Sequence, residues 1–173
     1  IIFGSEQFIM ALKKTLTIAG SDTSAGAGMQ ADLKTFQELQ TYGIVALTSI
    51  VTMDKATWSH DVTPIPFDVF EKQLETAISI GPDAVKTGML GTEEIIKRAG
   101  EAYVQSGADY FVVDPVMVCK GEDEVLNPGN TDAMIEYLLP KATVVTPNLF
   151  EAGQLSQLGK LTSIADMKKA AQI

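Results

Sequence analysis

The stretch Leu16-Thr17-Ile18-Ala19-Gly20-Ser21-Asp22-Thr23-Ser24-Ala25-Gly26-Ala27-Gly28-Met29-Gln30-Ala31-Asp32-Leu33-Lys34 sets the plan of this chain. A β-favouring run ends at Gly20, a loop of glycines and small residues follows, and an amphipathic helix begins near Met29. Small residues let a ligand approach the backbone closely, because a Cβ is missing or carries nothing further. The loop feeds a helix N-terminus, whose unpaired N–H groups favour an electron-rich or anionic ligand. Asp22 and Asp32 bracket it with carboxylates suited to orienting a polar small molecule. A tight strand-to-helix turn with ordinary caps accounts for the same residues, and both readings stand at this point.

Outward from that stretch, the totals narrow the class. The 173 residues are 46% hydrophobic, enough for one domain with a real core. No apolar run approaches the roughly 20 residues that span a bilayer. A net charge of -9 argues against broad attachment to nucleic acid or to an anionic membrane. Cys119 is the single cysteine, so no internal disulfide can form; with no secretion-signal pattern, a cytoplasmic protein is expected.

Ile1–Ile9 read as an N-terminal extension or expression remnant, with the domain running from 10 to 173. The first strand is expected over Thr15–Gly20 and a helix over Met29–Gln40, with Met29, Leu33, Phe36 and Leu39 near one face. Ile44–Met53 is a near-continuous apolar run, the signature of a strand buried on both faces. The polar segment Asp54–Pro66 reads as an excursion that leaves the sheet, before a helix over Phe67–Ile80. Strands are expected at Ala84–Thr87, Tyr110–Asp114 and Thr143–Thr146. Thr92 caps a helix that ends at Ser106-Gly107, and further helices are expected at Thr131–Leu139, at Leu149–Leu155 and after Ser163. The charged segment Cys119–Asn130 reads as a mobile loop. Strand and helix alternate throughout, which predicts an α/β layered fold with a mainly parallel sheet and right-handed crossovers.

Ligands in such sheets sit at the carboxyl ends of strands. The unusual residues gather there: Gly20 and Asp22, Met53, Gly88 and Met89, Asp114, and Asn148 with Glu151. Asp114 is either a salt-bridged structural residue or a working carboxylate. Asn148 and Glu151 are either a plain helix cap or, with Asp114, a group suited to hydrated Mg²⁺ and phosphate oxygens. The second option points to phosphoryl transfer, where positioning and charge neutralisation dominate. Neither a G-x-x-x-x-G-K-[ST] loop nor a G-x-G-x-x-G fingerprint occurs. His60, the one histidine, rules out a His-rich zinc site and reads as a surface, packing or functional residue. Cys119 beside Lys120 is either an incidental small residue or a thiol able to add to an aldehyde. Met53 and Met89 could form an apolar wall against an aromatic ring.

Four segments read together resemble the ribokinase-like vitamin kinases: LTIAGSDTSAGAGMQADLKTFQEL, VKTGMLGTEEII, VVDPVMVCKGEDEVL and ATVVTPNLFEAGQL. The similarity is to the group holding hydroxymethylpyrimidine/phosphomethylpyrimidine kinases and the related pyridoxal (pyridoxine) kinases. It implies the ribokinase-like three-layer fold and phosphorylation of a hydroxymethyl group on a small aromatic heterocycle, with ATP and Mg²⁺. It implies that Gly20, Ala27, Asp32, Met53, Met89 and Val116 line the heterocycle pocket, with Asp22 and His60 as further candidate substrate residues beside them. Asp114 and Glu151 would manage Mg²⁺ and phosphate charge, Asn148 and Glu151 would serve the nucleotide, and Cys119 would stand in a lid over the substrate spanning 119–126. Pyrimidine kinases of the family usually place a glutamine where Met53 stands, so pyridoxal is the expected substrate and the pyrimidine the alternative.

The family runs on for roughly another hundred residues, carrying a glycine-rich anion-hole loop and the main catalytic base. Neither is legible here, so the C-terminal part of the fold is expected to be absent and the chain alone to be inactive. A homodimer is expected of the full-length family member. A non-catalytic vitamin-binding module is the rival from another class, and an NAD-dependent oxidoreductase a distant third.

Overall fold

The computed structural model describes residues 12–117 and 128–173. The extension expected at Ile1–Ile9, Cys119 and the 119–126 segment lie outside the described residues. Strand β1 (Lys14–Asp22) is buried from Leu16 to Gly20, as the alternating Thr and aliphatic residues demand of a central strand. It is followed by α1 (Gly28–Glu38), β2 (Tyr42–Met53), β3 (His60–Pro64), α2 (Phe67–Ser79), β4 (Ala84–Thr87), α3 (Glu93–Ser106) and β5 (Tyr110–Val113). Then come α4 (Pro128–Tyr137), a 3₁₀ turn (Leu139–Lys141), β6 (Val144–Val145), α5 (Leu149–Leu155) and α6 (Ile164–Ala170).

The six strands lie in the order β3-β2-β1-β4-β5-β6, and every pair is parallel except β2–β3. After β1 the chain moves outward to β2 and β3, then returns to place β4 on the other side of β1. The order therefore reverses between β1 and β4, and a crevice opens at the carboxyl ends of those two strands. Right-handed crossovers put α1 on one face and α2, α3 and α4 on the other, the layered α/β arrangement of ribokinase-like kinases. Phe70 and Leu74 of α2, Ile95 and Ile96 of α3, and Phe111 of β5 form the centre of the core on the second face. No helix among the described residues is long and apolar enough to cross a membrane.

Two expectations are corrected. The segment Asp54–Pro66 does not leave the sheet: His60–Pro64 returns as an antiparallel edge strand, from Met53 opposite His60 to Ser49 opposite Pro64. Asp54 makes the turn, its Oδ1 accepting the Ala56 and Thr57 N–H groups at 2.8 Å each. An edge strand tolerates Pro64 because one row of its backbone groups needs no strand partner. Helix α4 starts at Pro128, inside the segment expected to be loop, since proline fits the first helical turn, where an N–H is unpaired anyway.

Where β3 stops, a side chain takes over the edge of β2. Gln73 of α2 accepts from the Leu47 N–H at 2.9 Å and donates to the Leu47 carbonyl at 3.2 Å, as a neighbouring strand would. On the far side, Thr92 caps α3 by accepting the Ile95 N–H, and Gly107 ends it at φ 66°.

Candidate active site

The loop after β1 forms one wall of the crevice. The β1–β2 register shifts between Ala19 and Ser21, which turns the strand end at Gly20. A Cβ on Gly20 would stand 2.8 Å from Ser49 Oγ and 2.9 Å from the Met89 methyl, so a larger residue there would displace both side chains. Asp22 folds the loop back: its carboxylate accepts the Ser24 and Ala27 N–H groups at 2.8 Å and the Ser24 hydroxyl. Burial acts to raise its pKa, but those hydrogen bonds outweigh it and hold the carboxyl below its ordinary value. Gln30 then pins the loop to α1, accepting the Asp22 N–H at 2.9 Å and donating to Ser21 Oγ at 2.7 Å.

Between this loop, the β2–β3 hairpin and the ends of β4 and β5 lies a cavity of about 500 Å³. It brings together Gly20, Asp22, Ala27, Met53, His60, Met89 and Val116 of the expected substrate residues, along with Asp114. Met53 and His60 are opposite one another across the hairpin. The Thr48 hydroxyl donates to the Met89 carbonyl at 2.6 Å and fixes the turn after β4. Trp58, at φ 60° near the hairpin turn, faces the same space.

Asp32 is placed differently. It stands beside the cavity rather than lining it, accepting from the Thr17 hydroxyl at 2.6 Å and from Lys86 Nζ at 3.0 and 3.1 Å. Asn148 and Glu151 also lie outside the cavity lining, in a reciprocal cap of α5. Asn148 Oδ1 accepts the Glu151 N–H at 2.9 Å, and Glu151 Oε2 accepts the Asn148 N–H at 2.8 Å. Burial raises the Glu151 pKa, and the Asp114 charge adds to it. Burial likewise raises Asp114, with Asp32 adding and Lys86 opposing. Among the described residues no group of three or more His, Cys, Asp or Glu side chains stands ready to hold a metal ion. What the site offers is an apolar slot beside carboxylates whose charge is short of compensation.

Sequence reasoning missed Lys86, Trp58 and the hairpin wall. A lysine inside the apolar strand Ala84–Thr87 was the available signal, because an ammonium seldom enters a buried strand unpaired. Trp58 was lost with the misplacement of its segment outside the sheet.

Residues 22–173 match the family model described as phosphomethylpyrimidine kinase. The pyridoxal kinase of Staphylococcus aureus, solved in complex with AMP-PCP, superposes with a TM-score of 0.89 at 86% identity, over 93% of this chain and 58% of that one. The pyridoxine kinase of Bacillus subtilis is 53% identical over 94% of this chain and 61% of its own length. The hydroxymethylpyrimidine/phosphomethylpyrimidine kinase of the same organism is 40% identical over 94% of this chain and 60% of its own length. The chain thus spans about three fifths of the relatives it matches. Its motifs, its sheet order and the match over most of its length agree, and the chain belongs to the phosphomethylpyrimidine kinase family.

Proposed function

We propose that this chain forms the heterocycle-binding part of an ATP-dependent kinase that phosphorylates the hydroxymethyl group of pyridoxal or pyridoxine. The observation that carries the substrate choice is Met53 in the cavity wall, together with Met89. A thioether packs on an aromatic ring but offers no amide to read a pyrimidine edge. The Staphylococcus aureus neighbour, also solved in complex with pyridoxal at 85% identity, supports the same choice.

In this reading the ring packs in the cavity between the Gly20–Gly28 loop and the wall made by Met53, Met89 and the hairpin. The hydroxymethyl group points toward Asp114. Its oxygen attacks the γ-phosphorus of ATP, the bond from that phosphorus to the β–γ bridging oxygen breaks, ADP departs and the hydroxyl proton is released. Asp114 and Glu151 fit Mg²⁺ as a pair of under-compensated carboxylates, one Glu151 oxygen already being held by Asn148. The ion would supply neutralisation of phosphate charge, with water and phosphate oxygens completing its shell. Asn148 would contribute to the nucleotide side, and its cap orients Glu151. In this proposal the described residues furnish the heterocycle side of the reaction, between the Gly20–Gly28 loop and the β2–β3 hairpin. A homodimer and a cytoplasmic setting belong to the same proposal, the first resting on the family and the second on the single cysteine. Sedimentation of the full-length kinase tests the dimer.

The functional test is a competition. The full-length kinase is given ATP with equimolar pyridoxal and hydroxymethylpyrimidine, and products are quantified by mass spectrometry. Pyridoxal 5'-phosphate is expected to dominate, and M53Q to shift the ratio toward the pyrimidine. Dominant pyrimidine phosphate from the unsubstituted enzyme would support the second reading, hydroxymethylpyrimidine kinase, which the 40% identical relative keeps in view.

A further inference from the structure

Lys86 lies in β4 between Val85 and Thr87, which are both wholly buried. A cation in that setting must be paired, and it is. Its Nζ stands 3.0 Å from Asp32 Oδ1 and 3.8 Å from Asp114 Oδ2, with the three side chains 20%, 16% and 36% exposed. Asp32 is held from behind by the Thr17 hydroxyl at 2.6 Å. A Cβ on Gly88 would come within 3.3 Å of the Lys86 ammonium, so glycine there leaves the cation open to the cavity it lines. Among the described lining residues Lys86 carries the one ammonium.

We propose that Lys86 is a positioning residue for phosphoryl transfer, tying the partly buried Asp32–Thr17 pair to Asp114 at the reacting end of the cavity. The proposal rests on the kinase reading above. A cation needed only for packing would be satisfied by Asp32, which already presents both oxygens to it. Lys86 instead reaches past Asp32 to the edge of the cleft. At 3.8 Å it attracts Asp114 from beyond the length of a close hydrogen bond, which orients that carboxylate toward the cation. Without the ammonium, Asp32 and Asp114 would repel one another where the phosphate charge must also gather. The loss should therefore fall on turnover rather than on heterocycle binding.

The test uses the full-length kinase with K86Q, which keeps a donor for Asp32 but no charge, and K86R, which keeps the charge. Circular dichroism and unfolding midpoints establish that each variant is folded; K86M replaces K86Q if that variant is not. K86Q is expected to lower kcat about 100-fold with the heterocycle KM changed less than about threefold, as for loss of one preorganised electrostatic group. K86R is expected to recover most of that loss. A folded charge-free variant with unchanged kcat, a loss confined to KM, or a K86R as poor as K86Q would each overturn the proposal. An unsubstituted enzyme that phosphorylates neither heterocycle would overturn the kinase reading itself, and that result is visible before any variant is made.

Discussion

At the scale of single residues, the site is governed by what small side chains permit and what carboxylates are tied to. Asp22 was expected to meet substrate, and its oxygens are largely engaged in closing the loop on itself. That use has a pH signature. Its folded pKa lies below the ordinary 3.8, so its contribution to stability is present above that value and is lost as pH falls through the folded pKa. Between about pH 5 and pH 2 the unfolding midpoint of the natural sequence should therefore drop more steeply than that of D22N. Parallel slopes in denaturant titrations across that range would show that the carboxylate does not clamp the loop. Glu151 presents the opposite case. Its folded pKa is raised above 4.5, chiefly by burial, so ionisation costs more in the folded protein than in the unfolded chain. E151Q keeps an oxygen for the Asn148 N–H and removes the buried charge. It should raise the unfolding midpoint at pH 7, with the gain shrinking as pH falls through the raised pKa, while phosphoryl transfer by the full-length kinase declines. A lower midpoint at pH 7 would mean that the charge stabilises α5 more than its burial costs.

At the scale of elements, β2 is where side chain and backbone share the work of a sheet edge. Gln73 replaces a strand at Leu47 with two hydrogen bonds. Q73A should cost about 1–2 kcal/mol, because both backbone groups lose their partner in a partly buried position. Chemical denaturation measures this, and a cost near zero would mean that water serves Leu47 equally well. The same strand shows how far the sequence could be read. Ile44–Met53 announces itself through a near-continuous run of apolar and β-branched residues, and the helices through caps such as Thr92 and Asn148. The hairpin partner did not. In His60–Pro64 polar residues and a proline mask a strand that has one paired edge and little buried surface, so neither alternation nor an apolar run marks it. Most cavity residues were legible because they stand at strand ends, where residue type departs from the buried pattern beside it. Lys86 was not, since its partners Asp32 and Asp114 are distant in sequence and only the sheet order brings them together.

At the scale of the whole molecule, the reversal of strand order between β1 and β4 creates the cleft, and the local motifs furnish it. The acidic chain, at a net charge of -9, supplies no general attraction for a phosphorylated ligand. Binding must then come from the slot itself: the glycine loop on one side, the methionines and the hairpin on the other. The single tryptophan of the sequence, Trp58, lines that slot and reports on it directly. The most direct measurement is a fluorescence titration of this chain with pyridoxal and, separately, with hydroxymethylpyrimidine, with calorimetry for stoichiometry. The account predicts a saturable change at one ligand per chain, with pyridoxal binding the tighter. A signal that never saturates, or a preference for the pyrimidine, would contradict it.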